Sequence, residues 1–213
     1  YVALDDPFHK PILLGKQNWQ SGFLPPIFQG TRLRSIGSPL VNLQPSKPLP
    51  PAILDFTRCL ANRMAHEHQL RRPGRTELAA RIASYELAAR MQMSVPEAAA
   101  VDREPQHIRH LYGADDSDRI KAGFARNCIL ARRLIERGVR FVQIWCKWQI
   151  WDHHGSILTE LPARCGEADQ PSAALVTDLK QRGLLDTTVV HWGGQIGRLP
   201  VVQSRSKPGR DHN

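Results

Sequence analysis

The stretch DRIKAGFARNCILARRLIERGVRFVQIWC, residues 118–146, decides the fold because its residue pattern changes from helix-like to strand-like at a single glycine. Its first part has apolar residues at helical spacing and predicts an amphipathic helix that ends at Gly138. Its second part, VRFVQIWC at 139–146, is rich in branched and aromatic residues and predicts a strand. A helix followed directly by a strand is the repeating unit of an α/β fold.

A second unit of the same shape follows in the chain. The stretch PSAALVTDLKQRG at 171–183 predicts a helix that ends at Gly183, and TTVVHW at 187–192 predicts another strand. Strands that alternate with helices predict a mixed or mostly parallel sheet with helices on both faces.

The upstream half of the chain has a different character. Residues 1–50 are rich in proline and glycine and predict an extended segment with turns. Residues 51–112 predict a helical subregion, which begins with apolar residues at helical spacing. We therefore interpret 1–213 as one α/β domain, in which 51–112 is a helical insertion and 113–213 is the βα core with the site loops.

Length and composition exclude several classes of protein. The chain has 213 residues, of which 41% are hydrophobic, so it can bury a substantial core. It contains no apolar run of about 18 residues, so no transmembrane helix is predicted. The formal net charge is +9, but the basic residues are scattered, and no aromatic-interleaved basic motif occurs. We therefore expect neither a nucleic acid nor a membrane as partner.

Unusual polar clusters lie where an α/β sheet binds ligands, outside the carboxyl ends of its strands. WDHHG at 151–155 follows the first predicted strand, GGQIGR at 193–198 follows the second, and GRDHN at 209–213 lies close behind. Carboxylates together with imidazoles suit zinc, manganese or iron, whereas carboxylates alone would suit magnesium or calcium. The candidate residues of these loops are Asp152, His153, His154, Gln195, Arg198, Asp211 and His212.

Each cluster also has a simpler interpretation. Asp152 and its two histidines can form a helix cap with polar neighbours at the surface. The glycines of GGQIGR can serve a tight turn or, as weaker evidence, a phosphate cradle. Arg198 can pair with a core carboxylate instead of an anionic substrate, and Asp211 and His212 can be a frayed end. The interpretation as a site gains weight because all three clusters fall at one predicted edge.

These motifs resemble a bacterial family known as domain of unknown function 1501. The resemblance rests on FARNCILARRLIERGVRFVQIW, WDHHG, DQPSAALVTDLKQRGLLDTTVVHWGGQIGR and GRDHN, and upstream on NWQSGFLPPIFQGT, GSPLVNLQP and HIRHLYG. It covers nearly the whole chain. The family resembles a branch of the alkaline phosphatase and sulfatase superfamily, which implies a partial sheet of that type with flanking helices.

The resemblance also implies roles for individual residues. The W-D-x-H motif of the family falls on 151–154, its G-G-E-F-G-R-T-P motif on 193–200 and its G-R-D-H motif on 209–212. It implies hydrolysis of a sulfate or phosphate ester, of a small molecule or a polysaccharide, with a divalent zinc, calcium or manganese ion. Export from the cell is implied as well. Arg198 would steady the ester anion, and the implied metal ligands are Asp152, His154, Gln195, Asp211 and His212.

Two departures from the family pattern affect the expected activity. Gln195 replaces the glutamate of the family motif, and a neutral amide is a poorer metal ligand than a carboxylate. We also expect the chain to be a fragment that lacks the first strand and nucleophile loop of the family and its C-terminal end, so hydrolysis should be impaired. The alternative is a degenerate, non-catalytic relative that acts as a binding or scaffold protein.

Overall fold

The described part of the chain contains a small parallel sheet and several α-helices. The computed structural model describes residues 1–8, 18–25, 28–40, 49–72, 82–83, 86, 95–146, 150–194, 196–203, 205–206 and 208–212. Its elements are β1 (Val2–Leu4), β2 (Thr31–Leu33), α1 (Pro51–Leu70), α2 (Gln106–Tyr112), α3 (Arg119–Glu136), β3 (Val142–Ile144) and α4 (Ile157–Gln181). Turns of 3-10 helix lie at Val101–Arg103 and Leu185–Thr187. The prediction of an α/β fold with a parallel sheet and helices is confirmed.

The sheet has β1 at its centre, with β2 on one side and β3 on the other, and all three strands are parallel. Leu4 is aligned with Leu33 in β2 and with Ile144 in β3. The backbone of Trp145 continues the ladder by donating to the carbonyl of Leu4 at 2.8 Å. The three carboxyl ends therefore lie at one edge of the sheet, and the loop after β3 leads from that edge to the candidate site.

Helix α3 forms where the sequence predicts it, because both of its ends carry local signals. The Asp118 carboxylate accepts hydrogen bonds from the backbone N–H groups of Ile120, at 2.9 Å, and Lys121. Gly138 ends the helix with φ of +82°, a conformation that glycine adopts at low cost. The buried face of α3 packs against the sheet and α4, and its apolar members are Ala125, Cys128, Ile129, Leu130, Ala131 and Leu134.

Helix α4 is longer than the sequence predicts. It begins at Ile157 instead of near Pro171 and runs for 25 residues before Gly183 ends it with φ of +68°. A proline inside a helix lacks an N–H group and usually kinks or ends the helix. Here Pro171 is fully buried, and α4 packs along both α3 and α2, so tertiary packing offsets the lost hydrogen bond.

A buried group of charges ties the helices together. Arg132 of α3 is 2% exposed and forms ion pairs with Glu104 at 2.8 Å, Glu136 at 2.9 Å and Asp178 of α4 at 3.0 Å. The Tyr112 hydroxyl at the end of α2 donates to Asp178 at 3.0 Å. We call these five residues the buried charge network.

The predicted strand at 187–192 is wrong. Thr187 ends a 3-10 turn, and 188–194 runs without a strand partner among the described residues. Val189 is 93% exposed and Trp192 is 65% exposed. Branched residues favour an extended backbone, but an extended segment becomes a strand only where a neighbour supplies hydrogen bonds.

The structure refines two predictions for the N-terminal part of the chain. The segment 1–50 supplies the central strand and one edge strand of the sheet, each only three residues long. Helix α1 has the predicted apolar face, but this face is exposed among the described residues: Ile53 by 49%, Phe56 by 68%, Leu60 by 37% and Met64 by 62%. Within the described ranges, every helix is too short or too polar to cross a membrane.

Candidate metal centre

Three loop segments meet after the carboxyl end of β3. The segment at 151–157, which leads into α4, contacts the segment at 208–212 through two backbone hydrogen bonds of 2.8 Å, from Arg210 to His153 and from Ile157 to Pro208. The 208–212 segment in turn pairs antiparallel with 196–203. Backbone bonds therefore hold all three segments together before any side chain contributes.

Gly209 permits the closest approach between two of these segments. A Cβ atom at this position would overlap the carbonyl group of His154 and the amide nitrogen of Gly155, nearer than real Cβ atoms come to backbone. Any other residue would push the 208–212 segment away from the WDHHG loop. The loop then turns into α4 at Ser156, whose φ of 55° is uncommon outside glycine.

Three candidate ligands converge at the meeting point of the segments. One ligand atom each from Asp152, His154 and His212 lies within 4.8 Å of the other two. The Asp152 Oδ1 atom is 3.0 Å from Nε2 of His154 and 3.2 Å from Nε2 of His212. The two imidazole rings lie with their centroids 4.9 Å apart. We call these three residues the metal-ligand cluster.

Arg198 contacts the same carboxylate oxygen. Its Nη1 atom donates to Asp152 Oδ1 at 2.6 Å, and the side chains of the pair are 26% and 21% exposed. Partial burial raises the pKa of Asp152, but the hydrogen bonds from Arg198 and His212 outweigh burial and hold the pKa below its ordinary value. Asp152 is therefore a carboxylate at neutral pH.

The second ring nitrogen of His154 faces two further oxygen atoms. Its Nδ1 lies 3.3 Å from the Gln203 side-chain oxygen and 3.6 Å from Asp211 Oδ1. Asp211 also accepts a hydrogen bond from the backbone N–H of His212 at 2.8 Å. Oxygen acceptors at the remote nitrogen of a metal-binding histidine fix the orientation and tautomer of its ring. Gln203 and Asp211 are therefore placed to orient the ring of His154.

Two of the three separations between donor atoms in the cluster suit a zinc-like ion. Zinc takes imidazole and carboxylate ligands at about 2.0–2.2 Å in tetrahedral geometry, which places the ligand atoms about 3.3 Å from each other. The separations of 3.0 and 3.2 Å from Asp152 Oδ1 are close to that value. Three protein ligands with a fourth open position are the usual arrangement at catalytic zinc sites.

The structure brings together most of the residues that the sequence singles out. Asp152, His154 and His212 form the cluster, and Arg198 and Asp211 contact it, whereas Gln195 lies outside the described residues. His153 is a candidate that the cluster does not include: it is 6% exposed and faces Glu160 at 3.5 Å.

Sequence reasoning missed the contact between Gln203 and His154. Gln203 belongs to no motif, and only the pairing of its backbone N–H with the carbonyl of Gly209 at 2.9 Å brings it there. The segment at 188–194 also reaches the site without being a strand. There Trp192 packs edge-on against Trp151, with ring centroids 5.7 Å apart.

The fold and the site thus define an α/β domain with a carboxylate–imidazole cluster in the loops after the sheet. Residues 3–213 match a family model described as protein of unknown function, DUF1501, and the chain belongs to this family. No curated protein and no solved structure matches the chain.

Proposed function

We propose that this chain is a metal-dependent hydrolase of sulfate or phosphate esters, of the alkaline phosphatase and sulfatase type. One observation carries the proposal: Asp152, His154 and His212 come from loops up to 60 positions apart in sequence, yet their ligand atoms lie within 4.8 Å of one another. A surface histidine that serves only solubility has no physical reason to meet a second histidine and a carboxylate in this way.

The donor chemistry favours zinc or manganese over calcium. Calcium takes six to eight oxygen ligands, whereas two of the three donors here are imidazole nitrogens. A divalent cation held by the cluster would supply Lewis-acid polarisation of an ester oxygen. The residues themselves bind and orient: the three ligands hold the cation, and Asp211 lies beside the remote ring nitrogen of His154.

Arg198 suits recognition of the anionic part of the ester. Its guanidinium is a planar donor that can bind two oxygens of a phosphate or sulfate group at once. It lies beside the cluster, in contact with Asp152, and its side chain is partly exposed. An anion bound next to the cation would therefore be within reach of this side chain.

The proposal is tested by metal titration followed by an assay. Isothermal titration with zinc or manganese should give one site in the wild type, with calcium binding more weakly. Asp152→Ala, His154→Ala and His212→Ala should each weaken zinc binding by tenfold or more. His107→Ala, an exposed helical histidine outside the cluster, is the matched control and should bind like the wild type. Turnover of 4-nitrophenyl phosphate and 4-nitrophenyl sulfate is then measured with the bound metal.

Two results would contradict the proposal. One is the absence of metal binding by the wild type, and the other is robust turnover that survives both Asp152→Ala and His154→Ala. The alternative function, a non-catalytic binding or scaffold protein, is favoured by one contact: Arg198 already places a positive charge on Asp152 at 2.6 Å. In that case the cluster would hold the loops together without any metal, and zinc would not raise the thermal unfolding temperature.

A further inference from the structure

We propose that Arg198 and a divalent cation compete for the same oxygen of Asp152, so that cation binding releases the Arg198 guanidinium for an anionic ligand. The inference rests on the proposed function and adds to it an order of events. Asp152 Oδ1 is contacted at 2.6 Å by Arg198 and at 3.0 and 3.2 Å by the two histidines. Oδ1 is the oxygen of Asp152 that lies within 3.2 Å of both imidazoles, so a cation held by all three side chains as they stand takes this oxygen.

Contact of both the guanidinium and the cation with Asp152 Oδ1 is unfavourable, because the two positive charges repel each other. A zinc ligand bond is about 2 Å long, so a cation at Oδ1 and a guanidinium nitrogen at 2.6 Å would be two positive charges only a few ångströms apart. The single carboxylate between them neutralises one unit of charge. Without the cation, Arg198 is the group that neutralises Asp152.

Release of the guanidinium requires only a side-chain movement. The backbone of Arg198 pairs antiparallel with His212, and the next residue, Leu199, donates to the carbonyl of Asp211 at 3.0 Å. These bonds do not involve the Arg198 side chain, which is flexible and 26% exposed. The guanidinium can therefore leave Asp152 while the 196–203 segment stays in place.

The released guanidinium allows the site to bind an anion next to the cation. It stays beside the bound cation, where an oxyanion can contact both positive groups, and its donors suit two oxygens of one tetrahedral anion. Without the cation, the guanidinium remains engaged by Asp152, so oxyanion binding is weak. The site is thus expected to bind first a cation and then a phosphate or sulfate group.

The test compares zinc and inorganic phosphate binding by the wild type and by Arg198→Met, which keeps an aliphatic chain but removes the charge. Removing a competing, partly exposed ion pair should tighten zinc binding roughly threefold to tenfold. Phosphate binding at saturating zinc should be lost in the same variant, and in the wild type it should require zinc. Arg210→Met removes the same charge from the neighbouring segment, where the arginine side chain is exposed, and should leave both affinities unchanged.

Each other outcome has a definite meaning. Weaker zinc binding by Arg198→Met would mean that Arg198 orients Asp152 for the metal, and unchanged binding would mean that the two do not compete; either overturns the exchange but leaves the metal site intact. Zinc binding by neither protein would overturn the proposed function and the exchange together. Arg198→Gln serves as the second variant, with circular dichroism as the check on folding.

Discussion

The buried charge network and the metal-ligand cluster are built from similar groups but differ in burial and in the way their charges are satisfied. In the network, Arg132 is 2% exposed and its guanidinium pairs with three carboxylates, one on its own helix and two from distant parts of the chain. In the cluster, one carboxylate oxygen receives an arginine and two histidines, whose side chains are 43% and 48% exposed.

This difference predicts that the two regions contribute differently to stability. A buried charge costs several kcal/mol unless partners surround it, so the network is useful only while it is complete. The cluster is partly open to water, and exposed ion pairs contribute little to stability. Its arrangement therefore gains little for folding, which is why we propose a ligand for it.

The largest effect should come from breaking the network. Arg132→Met removes the partner that Glu104 and Asp178 share, although Arg133 still pairs with Glu104 and Arg182 with Asp178. We therefore expect the free energy of unfolding to fall by about 2–3 kcal/mol in urea denaturation, the upper end for losing hydrogen bonds to buried charged groups. The control is Arg63→Met, which removes an exposed pair with Glu67 of 3.7 Å and should change stability by less than about 0.5 kcal/mol. Equal stability of Arg132→Met and wild type would contradict the idea that the buried charge network stabilises the fold more than the metal-ligand cluster does.

An intermediate effect should appear as a pH dependence of the network. Burial raises the pKa of Glu104, but hydrogen bonds from Arg132 and Arg133 outweigh it and hold the pKa below its ordinary value of 4.5. A carboxyl pKa lowered by folding stabilises the protein above the unfolded value, and this stabilisation is lost as the pH falls through the folded value. Stability should therefore decline below about pH 4.5.

The variant that isolates this dependence is Glu104→Gln. It should cost about 1–3 kcal/mol at pH 7, and the difference from the wild type should shrink as the pH falls below about 4.5, where the unfolded chain takes up a proton at Glu104. Glu97→Gln, at an exposed carboxylate paired with Arg137 at 2.9 Å, is the control and should cost much less. A difference that stays constant between pH 7 and pH 3 would argue against the charge of Glu104 as the cause.

A substitution beside the metal-ligand cluster should have the smallest effect on stability, but it should weaken zinc binding. Gly209→Ala should force the 208–212 segment away from His154 and displace His212, so zinc affinity should fall tenfold or more while the core remains folded. Gly166→Ala in α4 meets open space and should raise helix stability by about 0.5–1 kcal/mol without changing zinc affinity. Unchanged zinc binding by Gly209→Ala would show that the close approach does not position the ligands.

Local signals in the sequence predict those parts of the fold whose cause is local. Helix α3 and the glycines after α3 and α4 follow from spacing and from the conformational freedom of glycine. Strands β1 and β2 could not be predicted, because three residues show no periodicity and their pairing is with distant segments. The stretch at 187–192 shows the converse error, since its composition suits a strand but no described neighbour pairs with it.

The residues of the candidate site also include some that local sequence motifs predict and some that only the folded structure brings together. Asp152, His154 and His212 could be selected from motifs, because metal-binding residue types stand out in a loop. The contact of Arg198 with Asp152 could not, because it depends on the antiparallel pairing of Arg198 with His212. Gln203 has no motif, and its place beside His154 follows from the same pairing.

The central position of β1 has a consequence for synthesis in the cell. β1 pairs with β3, which lies about 140 positions later in the chain. At about 5–20 residues per second, a ribosome needs roughly 7–28 seconds to reach β3 after making β1. During that time one side of β1 carries open N–H and C=O groups that can pair with other nascent chains. Slower elongation between the two strands should therefore increase the dependence of soluble yield on chaperones.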